Sequence, residues 1–404
     1  MMEDRTGGSV REGRESLPAS VVVLFVLAML VVAAGLLQRH VVNPLGARYV
    51  INASSIAMML ALACSTMAIA FLWPGLLRQQ SMIVIMLFVL AILIVIVSTI
   101  QPKFFTEYNL HNNGRRLALL SIYAIGGSLA IISAGIDLSV GSLIGLIAVV
   151  LPLLITGHET PIAEALVLVL ALGIALGLVH GLLIAKFNLQ PFIVTLCALL
   201  AYRSLARTIT ADMTQGFGEA HEGLRQLAIG TFLHVPIAVY LMVAVAVAVG
   251  IFLHGTVWGR HLYALGQNEE AARYSGVAVG RLKIAAYTIS ALLSAIAGIL
   301  LALDTNSVQP SDAGKSYELY GIAAAVLGGC SLRGGEGTVV GIVVGATILT
   351  VLRNLIILAG LSTYIEDILI GAVILGMVTI DEIVKRRTAG RTAMKQQRVL
   401  SPEC

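Results

Sequence analysis

An all-α protein that crosses a membrane many times is the fold class this sequence predicts, and three observations predict it. Of its 404 residues, 58% are hydrophobic and only 12% are charged, where a soluble domain carries roughly 25%. Apolar runs close to the roughly 20 residues that span a bilayer as a helix recur along the chain. No stretch shows the short apolar–polar alternation of a membrane β-barrel. The reading is a polytopic helical bundle of about 10–12 transmembrane segments, some broken or re-entrant.

The elements follow in order. Residues 1–19 are polar and mixed in charge sign, and form a cytoplasmic N-terminus. Two apolar runs, near 20–37 and 50–73, occupy the region 20–80. The first is too long for a signal-peptide core and lacks a small-x-small cleavage site, so it reads as an uncleaved span. Ten further runs lie near 81–100, 115–134, 138–156, 162–185, 189–209, 236–255, 283–302, 317–331, 337–358 and 364–384. Those at 115–134, 138–156 and 317–331 are short or interrupted by glycine, which marks them as bent or re-entrant. A basic tail, 386–404, closes the chain. Alternating from a cytoplasmic start puts Arg260, Arg273, Arg281, Lys283, Arg333 and the run from Lys385 to Arg387 inside. Few cations fall outside, with Arg115 and Arg116 the awkward pair. This positive-inside bias makes both termini cytoplasmic.

Composition also excludes. The net charge of +4 comes with no basic patch interleaved with aromatics, so nothing points to nucleic acid. Cys64, Cys197, Cys330 and Cys404 are scattered, forming neither a disulfide framework nor a metal-ligand spacing. They read as small packing residues, and no metal site is expected. The "AGKS" at 313–316 lacks the earlier glycine of a phosphate loop and sits in an outer loop, so this chain does not hydrolyse ATP by that motif. A proton- or sodium-coupled carrier would bury acids in mid-span. Here Asp137, Glu164, Glu318, Glu366 and Asp367 lie near span ends. No Ser/His/Asp constellation appears, so no catalytic residue is assigned, and His180 reads as a packing or hydrogen-bonding residue.

Three patterns carry function. Gly173, Gly177 and Gly181, spaced by four, form a helix-packing face where backbones approach closely. In the inner loop, 256–282, Asn268 suits an N-cap, Glu269 and Glu270 put negative charge in the first turn, and Gly276 suits the stop. With Arg273 and a small Ala271/Ala272 face this makes a helix of about two turns, either a docking element for a partner or a plain connector. The segment 323–346 crowds Gly328, Gly329, Gly334, Gly335 and Gly337 around Arg333 and Glu336, which reads equally as part of a translocation path or as a structural bend. Asp137, in "SAGIDLSVGSL", stands where one apolar run ends and the next begins. With Ser139 and Gly141 it either caps the following helix or lines the path or its gate.

The ordered motifs "GIDLSVGS" (135–142), "PFIVTL" (191–196) with Arg203, "GRHLYALGQNEEAARYSGV" (259–277), "YELYGIAAAVLGG" (317–329) and "LRGGEGTVVG" (332–341) resemble the permease subunit of bacterial monosaccharide ABC importers. This is the ribose, xylose and galactoside group, which includes autoinducer-2 permeases. The resemblance covers 81–385. It implies a type II ABC importer-like permease fold in the bacterial inner membrane and a second permease copy, the same or different. It also implies a cytoplasmic ABC ATPase that binds ATP and magnesium, and a periplasmic or extracellular sugar-binding protein. The helix at 268–276 would then be the ATPase-coupling helix, and this chain would bind no cofactor itself. Residues 1–80 add two spans ahead of the family core. Ser204 stands where the family usually has glycine and His180 where asparagine is common, which bears on the solute. Rival readings are a permease of the same superfamily for a branched-chain amino acid or nucleoside, an ion-coupled carrier, and a membrane scaffold.

Overall fold

The computed structural model describes residues 102–218 and 221–360, with single positions inside 86–94 and 368–375. All of them belong to one compact unit, 52–404. The expected spans at 20–37 and 50–73, most of 81–100 and 364–384, and both termini lie outside the described residues.

Among the described residues, seven helices are long and apolar enough to cross a membrane. The first, α1 (Glu107–Ile132), is capped by Thr106, whose Oγ1 accepts from the Asn109 amide at 3.4 Å. It begins well before the run at 115–134 because its first turns are polar. Asn109 exchanges side-chain hydrogen bonds with Asn354 at 2.8 and 3.1 Å, and Arg115 pairs with Asp304 at 3.0 Å. Arg115 and Arg116 therefore sit inside a helix that starts at Glu107, and the boundary expected at 115 is set too late. Gly126 and Gly127 do not break it either. A Cβ at Gly126 would lie 3.1 Å from Leu293, so the glycine serves close packing.

A link, 133–139, with Ser133, Gly135, Asp137 and Ser139 buried, leads into α2 (Val140–Pro152), which continues as a π-turn, Leu153–Gly157. Together they make an 18-residue span, not a broken one. Then come α3 (Ile162–Lys186) and α4 (Pro191–Ile209), the latter with proline in its first turn, where a missing N–H costs nothing. A short amphipathic α5 (Glu222–Ile229) and a two-stranded antiparallel hairpin, β1 (Thr231–Phe232) and β2 (Val235–Pro236), precede α6 (Ile237–Gly250), which also runs on as a π-turn.

After α6 come α7 (Val257–Gln267) and α8 (Glu269–Tyr274), then α9 (Val279–Thr305), the longest helix among the described residues. The short α10 (Tyr317–Leu327) has 11 residues, about 16 Å of rise and so about half a bilayer core. The expected segment 317–331 is thus a short helix that ends at Leu327 and gives way to the glycine-rich turn. The chain turns back through 328–338 into α11 (Val339–Leu358), capped by Thr338.

Helix α9 is the axis of the core, packed against α3, α1 and α2, while α10 sits between α11 and α1. The seam with α3 is the glycine face read from the sequence. A Cβ at Gly173 would lie 2.6 Å from Ala295 Cβ, at Gly177 2.7 Å from Ala291 Cβ, and at Gly181 2.6 Å from Ile284 Cα. Large apolar residues such as Val167, Ile193, Leu200 and Val247 are exposed on α3, α4 and α6, as on helices that face lipid. At one end the segment 212–218 pairs with 306–309 through a bridge between Gln215 and Val308 (2.9 and 2.7 Å). The Phe217 amide also donates to Asn306 Oδ1 at 2.8 Å, and Thr214 Oγ1 donates to Gln309 Oε1 at 2.6 Å. Of the cysteines expected to pack, Cys330 is buried but Cys197 is exposed on α4.

Candidate functional site

At the end opposite that bridge, the predicted helix at 268–276 forms, with six residues rather than two full turns. Asn268 is at once the C-cap of α7, donating its amide to Ala264 O at 3.1 Å, and the N-cap of α8, accepting from Ala271 N at 2.9 Å. Gly276 adopts φ +81°, and its amide returns to Arg273 O at 3.0 Å. A left-handed residue there is the ordinary way to end a helix, and glycine takes it without a Cβ clash.

The two alanines do not share a face. Ala272 is 5% exposed and faces inward, while Ala271 is exposed alongside Glu270, Arg273 and a 90% exposed Tyr274. Glu269 holds the helix to the span that follows, at 2.8 Å from Lys283 Nζ and 2.9 Å from Arg273. Partial burial pushes the Glu269 carboxyl up. The Lys283 and Arg273 cations outweigh that and hold it below its ordinary value.

The glycine segment 328–337 clasps the end of α7. Tyr263 Oη donates to Gly337 O at 2.7 Å, and Gln267 Nε2 donates to Gly335 O at 3.2 Å. The Gly335 amide donates to Ile132 O at 2.9 Å, tying the same segment to the end of α1. Gly334 and Gly335 have φ of +89° and +72°, and a Cβ at Gly334 would lie 2.7 Å from Ala134. Backbone thus fills the space that side chains would need. Gly328 meets Gly341 of α11 just as closely, with its Cβ position 2.6 Å from the Gly341 backbone, and Gly329 turns the chain at φ +85°.

The link that touches Gly334 also carries Asp137, which is 4% exposed. Its Oδ1 accepts from the Ser139 amide at 3.0 Å and from Ser139 Oγ at 2.6 Å, and its Oδ2 accepts from Ser290 Oγ of α9 at 2.8 Å. The carboxylate serves the entrance of α2, whose formal N-cap, Ser139, makes no capping bond of its own. It also ties that entrance to a helix 153 residues away. Beside it, Tyr202 of α4 and His180 of α3 share a 2.7 Å hydrogen bond with their rings stacked. Thr195 Oγ1 donates to Ile136 O at 3.1 Å. Gly141 lies apart from this node, facing Gly314 and Glu318.

Ser290 and Tyr202 carry no sequence signal that would have singled them out, whereas His180 did. Among the described residues no group of three or more His, Cys, Asp or Glu gathers to hold a metal. Among the described residues the arrangement offers close packing and buried hydrogen bonding.

Comparison with known proteins adds the family. Residues 109–378 match the family model described as branched-chain amino acid transport system / permease component. The chain is 42% identical over 308 residues to the ribose import permease protein of Escherichia coli (strain K12), covering 76% of this chain and 94% of that protein. To the ribose import permease protein of Bacillus subtilis (strain 168) it is 39% identical over 293 residues, 72% of this chain and 90% of that one. To the galactose/methyl galactoside import permease protein of E. coli (strain K12) it is 34% identical over 314 residues, 73% and 92%. No solved structure gives a significant match.

Proposed function

We propose, from the premise that the chain belongs to the family of branched-chain amino acid transport system / permease components, that it is the membrane-spanning subunit of an ATP-driven importer of a monosaccharide. The observation that carries this is the near-full-length match to ribose import permeases. A cytoplasmic ATPase supplies the hydrolysis, with ATP and magnesium bound on that partner. A soluble binding protein delivers the sugar, and a second permease copy completes the pore. The end with α7 and α8 faces the cytoplasm, as the excess of Lys and Arg there supports.

In this reading Asn268 to Gly276 form the element that docks on the ATPase, with Glu270, Ala271, Arg273 and Tyr274 outward. A push on α8 passes through Asn268 into α7, and from α7 through Tyr263 and Gln267 into the 328–337 segment. The link that bears Asp137 and Ser139 receives it through Gly334 and Gly335. Alternating access then follows from relative motion of these elements about a central path.

Reconstitution tests it. Permease, ATPase and binding protein in proteoliposomes are expected to accumulate radiolabelled D-ribose or D-galactose only with ATP, and insensitively to an uncoupler. Uptake that persists without ATP and collapses with an uncoupler overturns the importer reading. Accumulation of L-leucine and of neither sugar reassigns the solute to the class in the family model's description.

A further inference from the structure

An arginine inside a membrane-spanning helix is costly, and by default it marks a pathway or a binding site. Arg115 and Arg116 are neighbours in α1 with different surroundings. Arg115 is paired with Asp304, whereas Arg116 lines a cavity between α1, α10 and α11. Tyr123 of α1, Tyr317 and Tyr320 of α10, and Thr350 and Arg353 of α11 complete its polar wall. Contacts fix the shape of that wall. The rings of Tyr123 and Tyr317 stack at 5.3 Å with 13° between their planes. A Cβ at Gly321 would lie 3.2 Å from the Tyr123 ring, so glycine there seats it. The Arg353 guanidinium stands 6.0 Å from the centroid of the Tyr320 ring. Tyr123, Tyr317 and Thr350 lie nine, ten and eleven residues from the helix ends nearest α8. That is about 14–16 Å of rise, half of a hydrocarbon core of roughly 30 Å.

We propose that this cavity is a sugar-binding site at half depth, where tyrosines, a threonine and two arginines bond the hydroxyl edge of a monosaccharide in transit. Its volume is about 50 Å³, room for about three to five waters at roughly 10–15 Å³ each. Ring hydroxyls of a sugar replace such waters one for one, while the ring itself stays at the mouth, where Arg116 is exposed. Each wall group has a part. A guanidinium carries five N–H donors, enough to keep other partners and still serve a hydroxyl, and a phenol both donates and accepts. Thr350 Oγ1 gives its one proton to Ala346 O at 2.8 Å, and so meets the sugar as an acceptor. Among the described residues that line the cavity none is acidic, so the ammonium of an amino acid meets two guanidiniums and no carboxylate. A leucine side chain would displace the waters without replacing their bonds. The assignment rests on the monosaccharide reading above for its ligand, and the assay separates the two.

The test uses the assembled transporter in proteoliposomes, with radiolabelled D-ribose, D-galactose and L-leucine as probes. Thr350→Val keeps the shape and loses the acceptor, and is expected to lower sugar uptake per ATP hydrolysed about two- to tenfold, as for one neutral hydrogen bond. Thr350→Ser keeps the hydroxyl and is expected to keep the uptake. Arg353→Lys keeps the charge and loses the fork, and is expected to lower uptake about tenfold or more. Melting temperature and ATPase co-purification stay as in the unaltered chain for all three. A second readout reports occupancy directly. A methanethiosulfonate reagent labels Thr350→Cys, peptide mass spectrometry follows the rate at position 350, and the transported sugar slows it while L-leucine does not. Should Arg353→Lys fail to assemble, the Thr350 variants and the labelling decide. Unaltered sugar uptake per ATP in Thr350→Val and Arg353→Lys, or labelling that the transported sugar does not slow, overturns the cavity site and leaves the importer reading intact. An unaltered chain that moves leucine and neither sugar overturns both.

Discussion

Replacing Asp137 tests how the polar node holds the bundle. Its carboxylate takes three hydrogen bonds in a site that is 4% exposed. Asp137→Leu strands the Ser139 amide and two serine hydroxyls, at about 1–3 kcal/mol for each buried group left without a partner. The hydroxyls have an outlet, as Ser294 Oγ shows by donating to Ser290 O at 2.8 Å. The Ser139 amide has none. A net loss of about 2–6 kcal/mol follows if one hydroxyl is rescued and two groups stay unpaired. Asp137→Asn keeps a carbonyl oxygen for Ser139 and presents its amide to Ser290 Oγ, which can accept once its own hydrogen turns away. That variant is expected to lose only about 0.5–1.5 kcal/mol. Ser290→Ala, which removes one bond to a charged group, falls between them at about 1.5–3 kcal/mol. The assay is thermal melting of the solubilised permease followed by size-exclusion chromatography. The expected order of melting temperature is unaltered chain, Asn, Ala at 290, Leu. Equal loss from Asn and Leu would refute the hydrogen-bond account and show that the charge itself is needed.

Three further outcomes are expected. Gly177→Leu drives a side chain into Ala291 and Thr288 of α9, where a Cβ alone would be 2.7 and 2.8 Å away; the overpacking costs about 1–3 kcal/mol and lowers the melting temperature, whereas Gly250→Ala, with open space around it, does not. Glu270→Lys with Gly276→Pro abolishes ATPase co-purification and leaves membrane insertion intact, because proline cannot take φ +81° and the Gly276 amide bond to Arg273 O is lost; pull-down against the ATPase reads it out. The Glu269 carboxyl is held below its ordinary value, so its contribution is complete above the ordinary Glu range of about 4.3 and drains away as pH falls through the lowered value. Hydrogen exchange of the α8 amides should therefore be equally protected at pH 7.5 and 5.5, and Lys283→Met should shift the loss of protection toward higher pH.

Much of this was legible in the residues. The glycines at 173, 177 and 181 announced a close seam, and Asn268 with Gly276 announced a capped helix, because both signals are local and periodic. The start of α1 was hidden, since Glu107, Asn109 and the two arginines look like a loop to any hydropathy count. Arg115 and Asn109 are held in the helix by Asp304 and Asn354, partners far along the chain. Ser290 and Tyr202 were equally silent, for a serine or tyrosine in an apolar run says nothing until its partner is known. The division of Ala271 from Ala272 follows from the helical step of about 100° per residue, which a small-residue pair in sequence does not reveal.

The bridge between 212–218 and 306–309 differs in kind from the seam between α3 and α9. Thr214, Gln215 and Gln309 are at or near the surface, so the bond between Thr214 and Gln309 can be handed to water, while Val308 and Phe217 keep the rest of the bridge buried. The glycine seam has no such substitute, since parting it opens a void rather than a hydrated gap. Of the two joints, the one at 212–218 and 306–309 has a bond that water can replace, whereas the seam that holds α3 to α9 has only close-packed backbone and methyl groups.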